Sequence, residues 1–190
     1  MASPQTQSES DRRLLARWAL VCAERVLPLI EADDAAREDL REAIARTRAY
    51  SAGQSSTAAE IRRRLVAVQA AKAARTPAGA AAARAVAQAA AVAHMGAHAL
   101  GAAAYAVKAV SLAHAGEPER VEDEVRWQLA QLSESERAAL RSLPPLGANS
   151  SGPLGAGLLS QGILGSAIRQ IQEQIGALDA VPPQESTANR

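Results

Sequence analysis

The chain has 190 residues, 48% of them hydrophobic, yet only 2% are aromatic and none is phenylalanine. That length suffices for one domain with a real core, and a core of Ala, Leu, Val and Ile favours close helix-on-helix packing over a sheet. A formal net charge of +1 with 22% charged residues supplies no strong overall field for nucleic acid or an anionic membrane, and the single cysteine, Cys22, excludes an internal disulfide.

Residues 1–9 read as a disordered, polar tail without the apolar region of a signal peptide. Ser10 or Asp11 is placed to cap a first helix to about Ile30, whose apolar face carries Leu14, Leu15, Trp18, Val21, Cys22, Val26 and Leu29. Arg25 lies at the edge of that face and needs a carboxylate or carbonyl from another helix, whereas Glu24 lies off it. Asp33 and Asp34 open a second helix to about Tyr50, with Ala36, Leu40, Ala43, Ile44 and Thr47 inward. Thr57-Ala-Ala-Glu60 reads as the capping box of a third helix that turns Ile61, Leu65 and Val68 inward. The triplet Arg62-Arg63-Arg64 lacks interleaved aromatics, so no nucleic-acid partner is expected.

From Thr76 to Ala115 alanine and glycine occupy most positions on all sides. A helix with no solvent face belongs in the middle of a bundle, so this stretch predicts one central helix, capped by Thr76, with Pro77 at its first position and Gly116 after its end. At about 100° per residue, His94, His98, Gly101, Tyr105, Lys108 and Leu112 share one stripe. The pair His94 and His98 is compatible with packed, hydrogen-bonded imidazoles, with a metal site, or with acid and base catalysis, Gly101 leaving room for a ligand or a second backbone. A histidine pair without a carboxylate in the same turn falls short of an HExxH motif.

Pro118 starts a further helix with Val121, Val125, Leu129 and Leu132 buried, Gln128 in the middle of that face, Glu124 at its margin and Trp127 off it. Ser133 and Glu136 form a second capping box for a short helix ended by Pro144-Pro145. Residues 144–157 read as a flexible Gly/Pro-rich linker. Beyond it Leu164, Ile168, Ile171, Ile175 and Leu178 form the apolar seam of one amphipathic helix. A lone helix of that length is marginal in water, so the seam docks back onto the bundle or, failing that, pairs with a second copy as a homodimer. Residues 181–190 read as a disordered tail.

Three segments carry a resemblance: Trp18-Ala-Leu-Val-Cys-Ala-Glu24-Arg25-Val-Leu-Pro28-Leu; Ala-His94-Met-Gly-Ala-His98-Ala with Ala103-Ala-Tyr105-Ala-Val-Lys108-Ala; and Glu124-Val-Arg-Trp127-Gln128-Leu. Over roughly Asp11 to Leu143 the chain resembles the Imm-five-like group of small bacterial all-α immunity proteins. The resemblance implies a protein that neutralises a toxin by binding it, in the cytoplasm. The linker and the C-terminal seam are expected to be additional to that family core, as a dimerisation element or a lid over the central stripe.

The expectation is therefore an all-α bundle of about six helices over residues 10–143 around a central Ala/Gly-rich helix, followed by the linker and an amphipathic helix over 158–180. The leading functional expectation is a non-catalytic protein-binding module, with no cofactor and no membrane partner. The alternative is a small-molecule-binding protein or cofactor-free enzyme, in which His94, His98, Tyr105 and Lys108 face Arg25, Glu24, Glu124, Trp127 and Gln128 across one pocket. There His94 or His98 would be the general base and Lys108 or Arg25 would hold an anion. Metal ligation, if any, would fall to the same two histidines. No carboxylate cluster suits a two-metal nuclease.

Overall fold

The structure, a computed structural model, describes residues 3–63 and 66–177. These residues form α1 (Glu9–Arg25), α2 (Asp34–Ser51), α3 (Thr57–Arg63), α4 (Val66–Ala70), α5 (Pro77–Ala91), α6 (His98–Ala113), α7 (Pro118–Ala130), α8 (Glu134–Arg141) and α9 (Gly162–Ala177). Short 3-10 turns at Leu27–Leu29, Ala71–Ala73 and Leu158–Ser160 join them, and no strand occurs among the described residues. The fold is an all-α bundle.

Several helix ends follow the local chemistry of the sequence. Asp33 caps α2, Thr76 caps α5 with Pro77 behind it, and Ser133 with Glu136 closes a complete capping box on α8. Two caps move. Ser8, not Ser10 or Asp11, accepts the Asp11 N–H and starts α1, and Ser56 rather than Thr57 accepts the N–H of Ala59.

The predicted single central helix is a helical hairpin. After Ala91 the backbone tightens, and the N–H groups of Gly96 and Ala97 leave the helical pattern to donate to the carbonyls of Thr6 and Gln5, at 3.2 and 3.1 Å. The N-terminal segment thus supplies the partners that a continuous helix would have had, and Gly96 makes room for it: a Cβ there would stand 2.1 Å from Gln7 Oε1. Residues 3–8, expected to be disordered, are consequently docked. Gln5 is buried, and its side-chain amide donates to Ser151 O at 2.8 Å and accepts from Leu154 N at 2.9 Å. The stretch read as a flexible linker is tied down by those same bonds and by Gly147 N donating to Leu154 O at 2.7 Å.

Alanines of α5 and α6 are buried on most sides, so the two backbones pack closely on each other, with α1 against both. The seam of α9 closes the bundle: Leu164, Ile168, Ile171 and Ile175 are buried against α6, α7 and α8 of the same chain. Those four residues are therefore not presented to a second copy, and the docking-back alternative holds; Leu178 lies outside the described residues. Val68, expected inward, is 40% exposed, because α4 is a short segment of five residues that turns Ala67 and Ala70 to the core instead. Leu65, Arg64 and the expected tail 181–190 also lie outside the described residues.

Candidate functional site

The polar residues singled out by the sequence fall into two clusters rather than one pocket. The first lies between α1, α6 and α7. Glu124, almost fully buried, accepts from Arg25 Nε at 2.7 Å and from Gln128 Nε2 at 2.8 Å, one donor for each carboxylate oxygen. Gln128 also donates to the Ala103 carbonyl of α6 at 3.2 Å, and its own backbone carbonyl accepts from Trp18 Nε1 at 2.9 Å. The Arg25 guanidinium lies over the Trp127 ring, 4.0 Å from its centroid, an arrangement in which a planar cation gains from the π face. Glu24 points elsewhere and pairs with Arg48 of α2. Arg25, Glu124 and Gln128 thus knit three helices together, with the charges and amide bonded to one another. Cys22 is buried in the same region, and burial, reinforced by Glu124 and Glu136, pushes its thiol pKa up. It is a protonated packing residue and not a nucleophile.

The second cluster lines an open trough of about 370 Å³ beside the α5–α6 turn, bounded by Gln88, His94, Met95, His98, Tyr105 and, from the C-terminal loop, Gly152, Pro153, Gly157, Leu158 and Leu159. The loop and the 3-10 turn at Leu158–Ser160 therefore wall one side of the histidine stripe. His94 falls in the turn and His98 at the start of α6, leaving ring centroids 6.5 Å apart and tilted by 37°. His98 Nδ1 lies 2.7 Å from Gln88 Oε1; a carbonyl oxygen only accepts, so Nδ1 carries the proton. Burial, with a smaller contribution from His94, lowers the His98 pKa to about 4, so the ring is neutral at pH 7. Tyr105 is nearly buried, and burial raises its pKa against the opposing influence of Arg84.

Gly101 serves this pairing. A Cβ at Gly101 would stand 2.5 Å from Gln88 Oε1 and 3.0 Å from Leu159 Cδ1, so the space that the sequence assigned to a ligand is taken by Gln88. Lys108 does not line the trough. Among the described residues no third His, Cys, Asp or Glu joins the histidine pair in a metal-binding group. The sequence reading missed Gln88 and Arg84. They are the only polar residues between Pro77 and Ala93, four apart in an alanine run, and that isolation was the signal available.

A family model described as "Imm-5 like putative immunity protein" matches residues 5–135, from the docked N-terminal segment through α7. The chain belongs to this family. The match covers both clusters except for the C-terminal wall of the trough, so α8, the 144–161 loop and α9 complete the bundle beyond the matched region. Neither the curated proteins nor the solved structures contain a match to the chain. No helix among the described residues is long and apolar enough to cross a membrane.

Proposed function

We propose that the chain is an immunity protein that neutralises a toxin by binding it directly, without catalysis, in the cytoplasm, where a reduced, buried cysteine is stable. Membership of the immunity family supports this reading, and one structural observation carries it. The polar groups that a catalytic or ligand pocket would need do not converge: Arg25, Glu124 and Gln128 are bonded within the interhelical network, while His94, His98 and Tyr105 line a separate trough. Neither cluster brings a base, a nucleophile and an oriented substrate holder into one pocket, which favours binding over catalysis. The alternative of a small-molecule site on His94, His98, Tyr105 and Lys108 has less support, since Lys108 stands off the trough and Gln88 occupies the space beside Gly101.

The experiment is co-expression with each candidate toxin found among the genes that neighbour this one. Restored growth, together with a stoichiometric complex in size-exclusion chromatography with light scattering, is the expected result. Undiminished toxicity with no complex overturns the reading.

A further inference from the structure

The overall charge of +1 conceals a strong segregation. Residues 61–116 contain seven of the 21 Lys and Arg and none of the 20 Asp and Glu, and residues 137–172 contain no acid either. The fold brings these two acid-free stretches together. The trough of His94 and His98 continues, across Gln88 and Tyr105, into a second hollow of about 210 Å³ lined by Val68, Ala71, Lys72, Arg84 and Ala87. No carboxylate lines either part. Lys72 and Arg84 are exposed, and no ion pair or hydrogen bond engages either among the described residues, whereas Arg13, Arg48, Arg41, Arg63, Arg120 and Arg126 pair with Glu9, Glu24, Glu38, Glu42, Glu117 and Asp123. Two of the three large exposed hydrophobic residues flank the same surface, Val68 at 40% and Leu158 at 65%.

We propose that this trough, from Val68 through Arg84 to Leu158, is the docking surface for an acidic segment of a partner protein bearing apolar side chains between its carboxylates. The proposal rests on the protein-binding reading above and names the chemistry of the partner. Unpaired cations in an acid-free hollow steer and orient carboxylates, and the apolar flanks at each end provide contacts that a charge alone does not. A nucleic acid fits less well, because the aromatic of the trough, Tyr105, is 4% exposed and offers no stacking platform.

The test uses the full chain and a fluorescein-labelled dodecapeptide of alternating glutamate and leucine, followed by fluorescence anisotropy, with a dT12 oligonucleotide as comparison. Binding of the peptide is expected to weaken at least about tenfold in Lys72→Glu/Arg84→Glu, to weaken also in Leu158→Ser, and to be unchanged in Arg120→Glu/Arg126→Glu, which makes the same change in net charge on α7. Thermal melts verify that each variant folds. Absence of peptide binding, equal weakening in both charge-reversed variants, or tighter binding of dT12 overturns the proposal. Undiminished toxin binding by Lys72→Glu/Arg84→Glu overturns it as well and leaves the immunity reading standing. Peptide binding through the trough with no toxin complex upholds the docking surface and removes the immunity reading alone.

Discussion

Two titratable side chains, partly buried His98 and fully buried Glu136, set the residue-scale behaviour of the bundle. The folded His98 pKa of about 4 lies below the ordinary value of about 6.5, so between those pH values the unfolded chain takes up a proton that the folded chain refuses. Stability is unaffected by this group above about pH 6.5, falls as pH drops toward 4, and levels off below. His98→Gln keeps a donor for Gln88 and removes the titration; its urea midpoint is expected to fall less than that of the wild type between pH 7 and 4.5, the difference corresponding to about 2–3 kcal/mol. Glu136 is fully buried and accepts from Arg17 Nε at 2.5 Å and from the backbone N–H and hydroxyl of Ser133, each at 2.8 Å. The hydrogen bond to Glu136 in turn raises the Arg17 pKa. Glu136→Ala leaves those donors without their acceptor and removes the carboxylate half of the α8 capping box, while the Ser133 hydroxyl still accepts the residue-136 N–H, so denaturation is expected to show a loss of about 2–4 kcal/mol, discounted because Arg17 is half exposed.

At the scale of elements, close approach of backbones distinguishes glycines that look alike in sequence. Gly165, in the first turn of α9, has the Ser160 carbonyl oxygen where a Cβ would be, at 2.2 Å. That neighbour is backbone and cannot rotate away. Gly165→Ala is expected to shift α9 and lower stability by about 2–3 kcal/mol, while Gly176→Ala, with nothing near its Cβ, is expected to be neutral or mildly stabilising; thermal melting of the two variants checks this. The interruption between α5 and α6 belongs to the same scale. Nothing in the alanine-rich run opposes a continuous helix strongly, since Gly96 alone costs only about 1 kcal/mol there. The break exists because Gln5 and Thr6 present carbonyls to Gly96 and Ala97, ninety residues away in the chain.

For the whole molecule, the bundle beyond the matched family region is structural and not an appendage. Leu164, Ile168, Ile171 and Ile175 are each at most 2% exposed. At about 1.5–3 kcal/mol for each buried side chain, their removal is comparable to the entire stability of a domain. A chain ending at Gly157 is therefore expected to lose cooperative unfolding or to self-associate, which circular dichroism and light scattering would detect; a monomeric, cooperatively melting truncation contradicts this account of α9.

Helix type and most helix ends were legible in the sequence, because a capping hydroxyl, a first-turn proline and a 3.6-residue apolar period act on neighbours a few positions apart. Arg25 and Glu124 could likewise be marked as needing partners, since an ion at the edge of an apolar face is costly unpaired. Which partner each found was decided by helix packing. In the stripe of His94, His98, Tyr105 and Lys108 only His94 lies before the break, at which Gly96 and Ala97 donate to the carbonyls of Thr6 and Gln5; His98, Tyr105 and Lys108 follow one period along α6, and the stripe reaches the trough as far as Tyr105. Net charge, being a sum, gave no hint that acid-free stretches from two distant parts of the chain would face each other. Local propensity is additive along the chain and can be read from it; the pairing of distant backbone groups and the juxtaposition of distant charges exist only after the chain has folded.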